Sequence, residues 1–277
     1  MCSSPPRPDQ VNANAVRNRV DVVVVKVIGT CRVVNQPGSV ASCPGSRLIQ
    51  VTGYRLPCGM TDSIRVVLFD LDGTLLDSIR HIIDSYHHAL ADNGLPPRPD
   101  DYWLAGIGTP LWVQFADFTG DPDLMARLIA SYRDYNLTLH DQRVRAYPGA
   151  VEAVRALRGH GVRTGLVTSK QRVGAERGLR LLGLLDAMEV IVGADDVTNP
   201  KPHPEPLLKA ATALGVDPRA AIYVGDSRHD IQSGRAAGMR TAAALWGPFD
   251  RAHLEPSSPE HWVERPDQLV RLVVGAG

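Results

Sequence analysis

Apolar and polar positions divide the chain into stretches with different periods. Residues 1–59 are rich in Ser, Pro, Asn and Gly, broken by one apolar run from Val20 to Ile28. The run Ile64 to Phe69, interrupted only by Arg65, predicts a strand buried on both faces, as in a parallel sheet covered by helices. Ile79 to Asn93 then repeats at helical spacing and stops at Gly94 and a Pro-Pro-Arg-Pro stretch. Helical periodicity continues to about Arg145: Leu111, Trp112, Phe115 and Phe118 form one stripe. Leu124, Leu128, Ile129 and Tyr132 form another behind an Asp121-Pro122 start. Both stripes are expected to be packing faces of a small helical bundle.

From Tyr147-Pro148-Gly149 onward the pattern alternates. Helices are expected over 148–158, 172–182, 205–214 and 230–237, and strands over 162–168, 189–192, 221–224 and 240–245. Gly174 and Gly178 weaken the second of these helices. Strand–helix alternation at this spacing implies an α/β fold, a doubly wound, Rossmann-like parallel sheet with a helical block inserted after its first strand. The expected division is 62–79 plus 146–277 for the α/β core and 80–145 for the insertion.

Charge is unevenly placed, although the formal net charge is zero. Before Met60 there are 7 Lys+Arg and 2 Asp+Glu, against 23 and 28 from Met60 onward. The balance gives no electrostatic case for nucleic acid or a membrane surface as partner, and no apolar run approaches the roughly 20 residues needed to span a bilayer. All four cysteines precede Met60 in no zinc-binding spacing, so the remainder is Cys-free, as suits a reducing, cytoplasmic compartment. The composition shift, with Met60 four residues before the first strand, leads us to expect that residues 1–61 are a disordered leader or lie outside the native protein. The oligomeric state is not legible.

Chemistry-bearing residues fall where predicted strands end. The first strand runs into Asp70 and Asp72; Gly73 permits a sharp turn, and Asp77-Ser78 suit the N-cap of the next helix. The second ends in Thr168-Ser169-Lys170, and the fourth in Gly225-Asp226-Ser227, with Asp230 following. Lys201 lies in a Pro-rich segment, Asn199 to Pro204, whose prolines are expected to hold it extended. In open α/β sheets, ligands bind beyond the carboxyl ends of the strands, so these groups should converge. Like charges about 4 Å apart repel by about 4 kcal/mol at an effective dielectric near 20. A cluster of Asp70, Asp72 and Asp226 therefore calls for cations, and hard oxygen ligands with water in the remaining positions favour Mg²⁺.

The run D-x-D-G-T-L-x-D-S from Asp70 to Ser78 resembles the first motif of the haloacid dehalogenase-like phosphohydrolase superfamily. Val167 to Lys170, Asn199 to Pro204 and Val224 to Asp230 resemble its second, third and fourth motifs, in order, and the insertion sits where that superfamily carries a helical cap of the first type. The resemblance implies that Asp70 is the nucleophile that forms an aspartyl-phosphate and that Asp72 is the general acid and base. It implies Thr168, Ser169 and Lys201 at the phosphate, and Mg²⁺ held by Asp70, Asp226 and the main-chain carbonyl of Asp72. Asp230 would act through water or orient Lys201.

Lys170, and Gly108 in the loop Gly106 to Pro110, are further candidates for the substrate side, each against a plain loop reading. His81, Asp84 and His88 share a helix face expected to be solvated rather than ligating; His203 is read as only positional, and Trp246-Gly247-Pro248, after the last strand, as either bordering the active-site mouth or simply packing. The implied function is a Mg²⁺-dependent phosphatase of small phosphate monoesters, phosphoglycolate-like. A β-phosphoglucomutase-like mutase and an inorganic pyrophosphatase of the same superfamily are the alternatives. A phosphonate hydrolase is disfavoured because residues 80–145 hold no lysine for a Schiff base.

Overall fold

The computed structural model describes residues 63–275; the expectations for residues 1–61 lie outside them. In chain order the elements are β1 (Val66–Phe69), β2 (Leu76–Asp77), α1 (Ile79–Asp92), α2 (Asp100–Leu104), α3 (Leu111–Phe118), α4 (Pro122–Arg143) and β3 (Arg145–Ala146). There follow α5 (Ala150–Gly159), β4 (Arg163–Val167), α6 (Arg172–Leu182), β5 (Ile191–Val192), α7 (Glu205–Leu214), β6 (Ala221–Gly225) and α8 (Arg228–Ala236). Next come β7 (Arg240–Ala244), α9 (Arg251–Leu254), β8 (His261–Val263) and α10 (Pro266–Val274).

Six strands form one parallel sheet in the order β5-β4-β1-β6-β7-β8. The chain builds outward from β1 on one side, then returns to build on the other. The switch point therefore lies beside β1, where a crevice for ligand forms at the strand ends. All four β1 side chains are buried, as a strand covered on both faces requires. One apolar cluster joins Val67, Phe69 and Leu166 to helices α5, α6 and α10; another joins Val66, Leu68 and Tyr223 to α7. The fold class is thus the α/β parallel architecture expected. Two elements beyond the last predicted strand complete it: β8 pairs with β7, and α10 packs beside α5.

Helices α1 to α4 share a third cluster, in which Tyr86 stacks on Trp103 at 4.3 Å and meets Phe115 edge-on at 5.3 Å. Ile231, Ala243, Phe249 and Leu254 belong to the same cluster. The helix start at Asp121-Pro122 is as expected, with the Asp121 carboxylate accepting the Asp123 amide at 2.9 Å. Where the chain enters this helical segment and where it leaves, β2 and β3 pair antiparallel, Leu76 opposite Ala146 and Asp77 opposite Arg145. Gly178 is an opening, not a weakness, in α6. A Cβ there would lie 2.6 Å from Leu76 Cδ1, so the missing side chain lets β2 lie against the helix.

Of the three residues on the face carrying His81, His81 itself is not solvated, while Asp84 and His88 are half-buried. His81 is buried with Nε2 2.9 Å from the Asn136 carbonyl, while Asp84 pairs with Arg80 and His88 stacks on Tyr135. His140, also buried, lies close by. Burial holds both imidazoles below their usual range, with the Lys170 ammonium acting in the same direction. A histidine whose folded pKa is depressed contributes stability above its unfolded pKa and loses it as pH falls toward the folded value. We therefore expect the difference in denaturant midpoint between the parent and a His81→Gln variant to be constant from pH 8 to about 6.5, and the parent to lose ground to the variant from there to pH 5. A difference unchanged between pH 6.5 and 5 would contradict this.

Candidate active site

The carboxyl ends of β1, β4 and β6 bring six of the singled-out side chains into one cluster. Asp70 and Asp226 follow or end the central strands, and both are buried. Lys201 Nζ reaches across to Asp70 Oδ1 at 2.9 Å and Asp230 Oδ1 at 2.6 Å, and donates to the Tyr223 hydroxyl at 3.0 Å. Its three protons thus have three acceptors. Tyr223 is in turn fixed by the Val167 carbonyl at 2.7 Å. The segment that presents Lys201 is turned rather than extended: the His203 amide donates to the Pro200 carbonyl at 2.9 Å, and the Lys201-Pro202 peptide is cis. Proline fixes φ but leaves ψ free, so a Pro-rich segment turns as readily as it extends.

Asp230 is fully engaged. Its Oδ1 serves Lys201, and its Oδ2 accepts the Ser227 amide at 3.0 Å and the Ser227 hydroxyl at 2.6 Å, the capping box that starts α8. Asp226 differs. Oδ1 accepts the Thr74 hydroxyl at 2.8 Å, while the buried Oδ2 has no hydrogen-bond partner among the described residues.

A buried carboxylate oxygen without a donor among the described residues, beside two more buried carboxylates, is costly unless a cation meets it. Oxygens of Asp70, Asp226 and Asp230 lie within 4.8 Å of one another. Burial pushes the Asp70 carboxyl up to about 7 against the pull of Lys201, and burial with Asp230 and Asp70 pushes Asp226 well above its ordinary range. One lysine does not balance three buried acids. The donor set is hard oxygen, and it fits a small divalent cation held by Asp70 and Asp226.

Asp72 sits at the mouth in a different environment. Lys170 Nζ lies 2.8 and 3.0 Å from its two oxygens, and the Ser78 hydroxyl donates to it at 2.6 Å. Burial would raise the Asp72 carboxyl, but Lys170 outweighs it and holds the group below its ordinary range. Ser78 thus departs from expectation: it stands at the N-cap of α1 without a side-chain capping bond, because its hydroxyl is drawn to the nearer ionised carboxylate. Thr168, buried, lines the cavity in front of Asp70. Ser169 faces the same cavity, but its hydroxyl donates to the Gly108 carbonyl at 2.6 Å. That bond ties the loop before α3 to the end of β4. Gly108, at φ +97°, lies so close to Ser227 that a Cβ would meet its Oγ at 2.5 Å.

Sequence reasoning left out Tyr223, Thr74 and the close approach of three glycines. A Cβ at Gly73 would stand 2.3 Å from Asp226 Oδ2, one at Gly225 2.4 Å from Asp230, and one at Gly247 2.5 Å from Asp226 Cβ. Trp246 donates to the Thr74 carbonyl at 2.9 Å, so the segment after β7 backs the turn at Gly73. Among the arginines of the helical segment, Arg133 lines the cavity, and Arg98 lies over the rings of Tyr102 and Phe118.

Residues 67–244 match the family model of haloacid dehalogenase-like hydrolases. The chain belongs to the haloacid dehalogenase-like hydrolase family. It is 39% identical over 210 residues to pyrophosphatase PpaX of Bacillus cereus (strain AH820), covering 76% of this chain and 96% of that one. It is 40% identical over 212 residues to pyrophosphatase PpaX of Bacillus pumilus (strain SAFR-032), with 76% and 97% covered. Among solved structures, a hydrolase from Pseudomonas syringae superposes with TM-score 0.70 at 26% identity over 77% of this chain and all of that one. A Lactobacillus plantarum protein assigned as a phosphoglycolate phosphatase does so with TM-score 0.68 at 28% identity over 76% and 99%. This family member is an enzyme, and it falls with the phosphatases of the family.

Proposed function

We propose that this hydrolase cleaves phosphate monoesters by way of an aspartyl-phosphate on Asp70, with a Mg²⁺ ion as cofactor. The observation that carries the reading is the triad of buried carboxylates around one lysine, with Asp226 Oδ2 left without a donor. In the first half-reaction an Asp70 oxygen bonds to phosphorus, and the bond from phosphorus to the leaving oxygen breaks. That oxygen takes a proton from Asp72. In the second, water bonds to phosphorus, gives its proton to Asp72, and the bond to Asp70 breaks. The proton lent in the first half is returned in the second.

Asp72 is ionised at rest, paired with Lys170. An arriving phosphate dianion competes for Lys170 and raises Asp72 by like charge, and both effects favour the protonated acid the first half needs. Lys201 and the Thr168 hydroxyl meet the transferring group. Asp230 and Tyr223 position Lys201. Asp70, Asp226 and the Asp72 carbonyl would hold Mg²⁺, whose charge supplies the counterion for the phosphoryl oxygens and the acids around them. We read α1 to α4 as the cap that covers the leaving group. The substrate is a small phosphorylated molecule.

Phosphate release from p-nitrophenyl phosphate tests the reading, with Mg²⁺ and with EDTA. Turnover is expected only with Mg²⁺. In the same titration, a 100-fold excess over Kd should stabilise the fold by about 2.7 kcal/mol, a Tm rise of roughly 5–10 °C for a chain of this size. Activity insensitive to EDTA, with no Tm response, would overturn it. The similarity to pyrophosphatase PpaX favours a second reading, cleavage of pyrophosphate by the same groups. Its leaving phosphate needs less help from the acid Asp72.

A further inference from the structure

The cavity opening from Asp70, Asp72 and Thr168 has a volume of about 150 Å³. Away from those residues its wall exposes more apolar than polar surface, from Ile82, Ile107, Leu111, Trp112, Leu137 and Val173, interrupted by the neutral polar side chains of Thr109, Gln114, Asn136 and Gln171. Trp112 was expected to pack inside a helical bundle. It is instead 37% exposed, and Leu137 and Val173 are exposed by 42% and 74%. These three come from α3, α4 and α6, yet all line this one opening. They are three of only seven large apolar side chains left exposed among the described residues, so the opening is where the fold concentrates exposed apolar surface.

Charge on the same wall is sparse. Of its two basic residues, Lys170 is held by Asp72. Arg133 is exposed and has no ion pair among the described residues. A single exposed guanidinium does not neutralise a second phosphate lodged among isoleucine, leucine and tryptophan, and burying charge there is unfavourable. An apolar body fits. A cavity of about 150 Å³ lined by aliphatic and aromatic side chains has room for a six-carbon ring.

We propose that the preferred substrates are phosphomonoesters whose leaving alcohol carries an apolar body of about four to six carbons, seated against Trp112, Leu137 and Val173. The proposal rests on the phosphatase reading and narrows its substrate class. It sets this chain apart from pyrophosphate cleavage, the activity in the name of its PpaX relatives.

A series of n-alkyl phosphates from ethyl to hexyl tests it, because their leaving alcohols are nearly equal in basicity. Differences in kcat/KM then report contact with the wall rather than chemistry. Phosphate release is measured with Mg²⁺, alongside pyrophosphate and 2-phosphoglycolate. The expected result is a rise of about twofold to fourfold per added methylene until the cavity is filled, with hexyl phosphate at least tenfold above the two charged substrates. Val173→Asp, at an exposed position that folding tolerates, and Trp112→Ala should both flatten the slope. A flat or falling series, with pyrophosphate or phosphoglycolate cleaved well, would overturn the apolar assignment and leave the phosphatase reading standing. A rising series that neither variant changes would overturn the placement of the alkyl group. Release of phosphate from none of the substrates would overturn the phosphatase reading itself.

Discussion

Asp70→Asn is expected to reduce turnover by about 10⁴-fold or more while leaving the fold intact, because it removes the atom that bonds to phosphorus. The stability response is the more discriminating half. Burial pushes the Asp70 carboxyl from 3.8 up to about 7, so its ionised form is resisted by the folded protein when no divalent ion is present. A carboxyl raised in this way contributes stability at low pH and loses it as pH rises through about 7. Asparagine has the same shape, still accepts from Lys201 and never ionises. In EDTA the variant should therefore match the parent near pH 4, draw ahead of it from there to about pH 7, and exceed it at pH 8 by about 1 kcal/mol or more. Mg²⁺ should raise the Tm of the parent and leave that of the variant almost unmoved. Thermal unfolding at these pH values, with and without Mg²⁺, reads all of this. A variant that still turns over appreciably would refute the nucleophile assignment, and one that loses stability at pH 8 in EDTA would refute the account of charge crowding.

Most of what places these groups was legible because it rests on period and punctuation. An apolar run ending in Asp70 and Asp72, and helix–strand alternation after Tyr147, are signals carried by many residues at once. Elements of two or three residues carry no period. The β2–β3 pair and β8 went unread for that reason, since their pairing is decided by tertiary neighbours. Side-chain allegiance is also invisible to pattern. Ser78 reads as a cap because serine at that place usually is one, yet a carboxylate oxygen 2.6 Å away accepts its hydrogen bond. Lys170 reads as a loop lysine until β4 sets it beside Asp72. Trp112 shows the limit of amphipathic stripes. Spacing says that a side chain lies on the apolar face of its helix; it does not say whether that face meets another helix or a cavity.

Lys201→Met is expected to cost both stability and turnover, and a second substitution separates the two. The Lys201 side chain is 1% exposed and holds Asp70 and Asp230. Burial works to lower its pKa, but Asp230 and Asp70 outweigh that and keep the ammonium charged. Removing it leaves Asp70, Asp226 and Asp230 buried without a compensating charge. Breaking a buried ion pair from one side typically costs about 3–5 kcal/mol, which for a chain of this size is a Tm lower by roughly 6–20 °C. Turnover should fall by about 10³-fold or more, because a fixed cation no longer meets charge developing on the transferring group. Loss of activity in that variant alone could be loss of fold. Lys201→Met combined with Asp230→Asn removes both members of the pair and leaves Ser227 its acceptor at position 230. The double variant should recover most of the lost stability and none of the lost turnover, a coupling of about 1.5 kcal/mol or more in unfolding free energy. Recovery of turnover together with Tm would show that Lys201 serves only to neutralise the cluster. Recovery of neither would show that Asp230 is needed for more than holding the lysine.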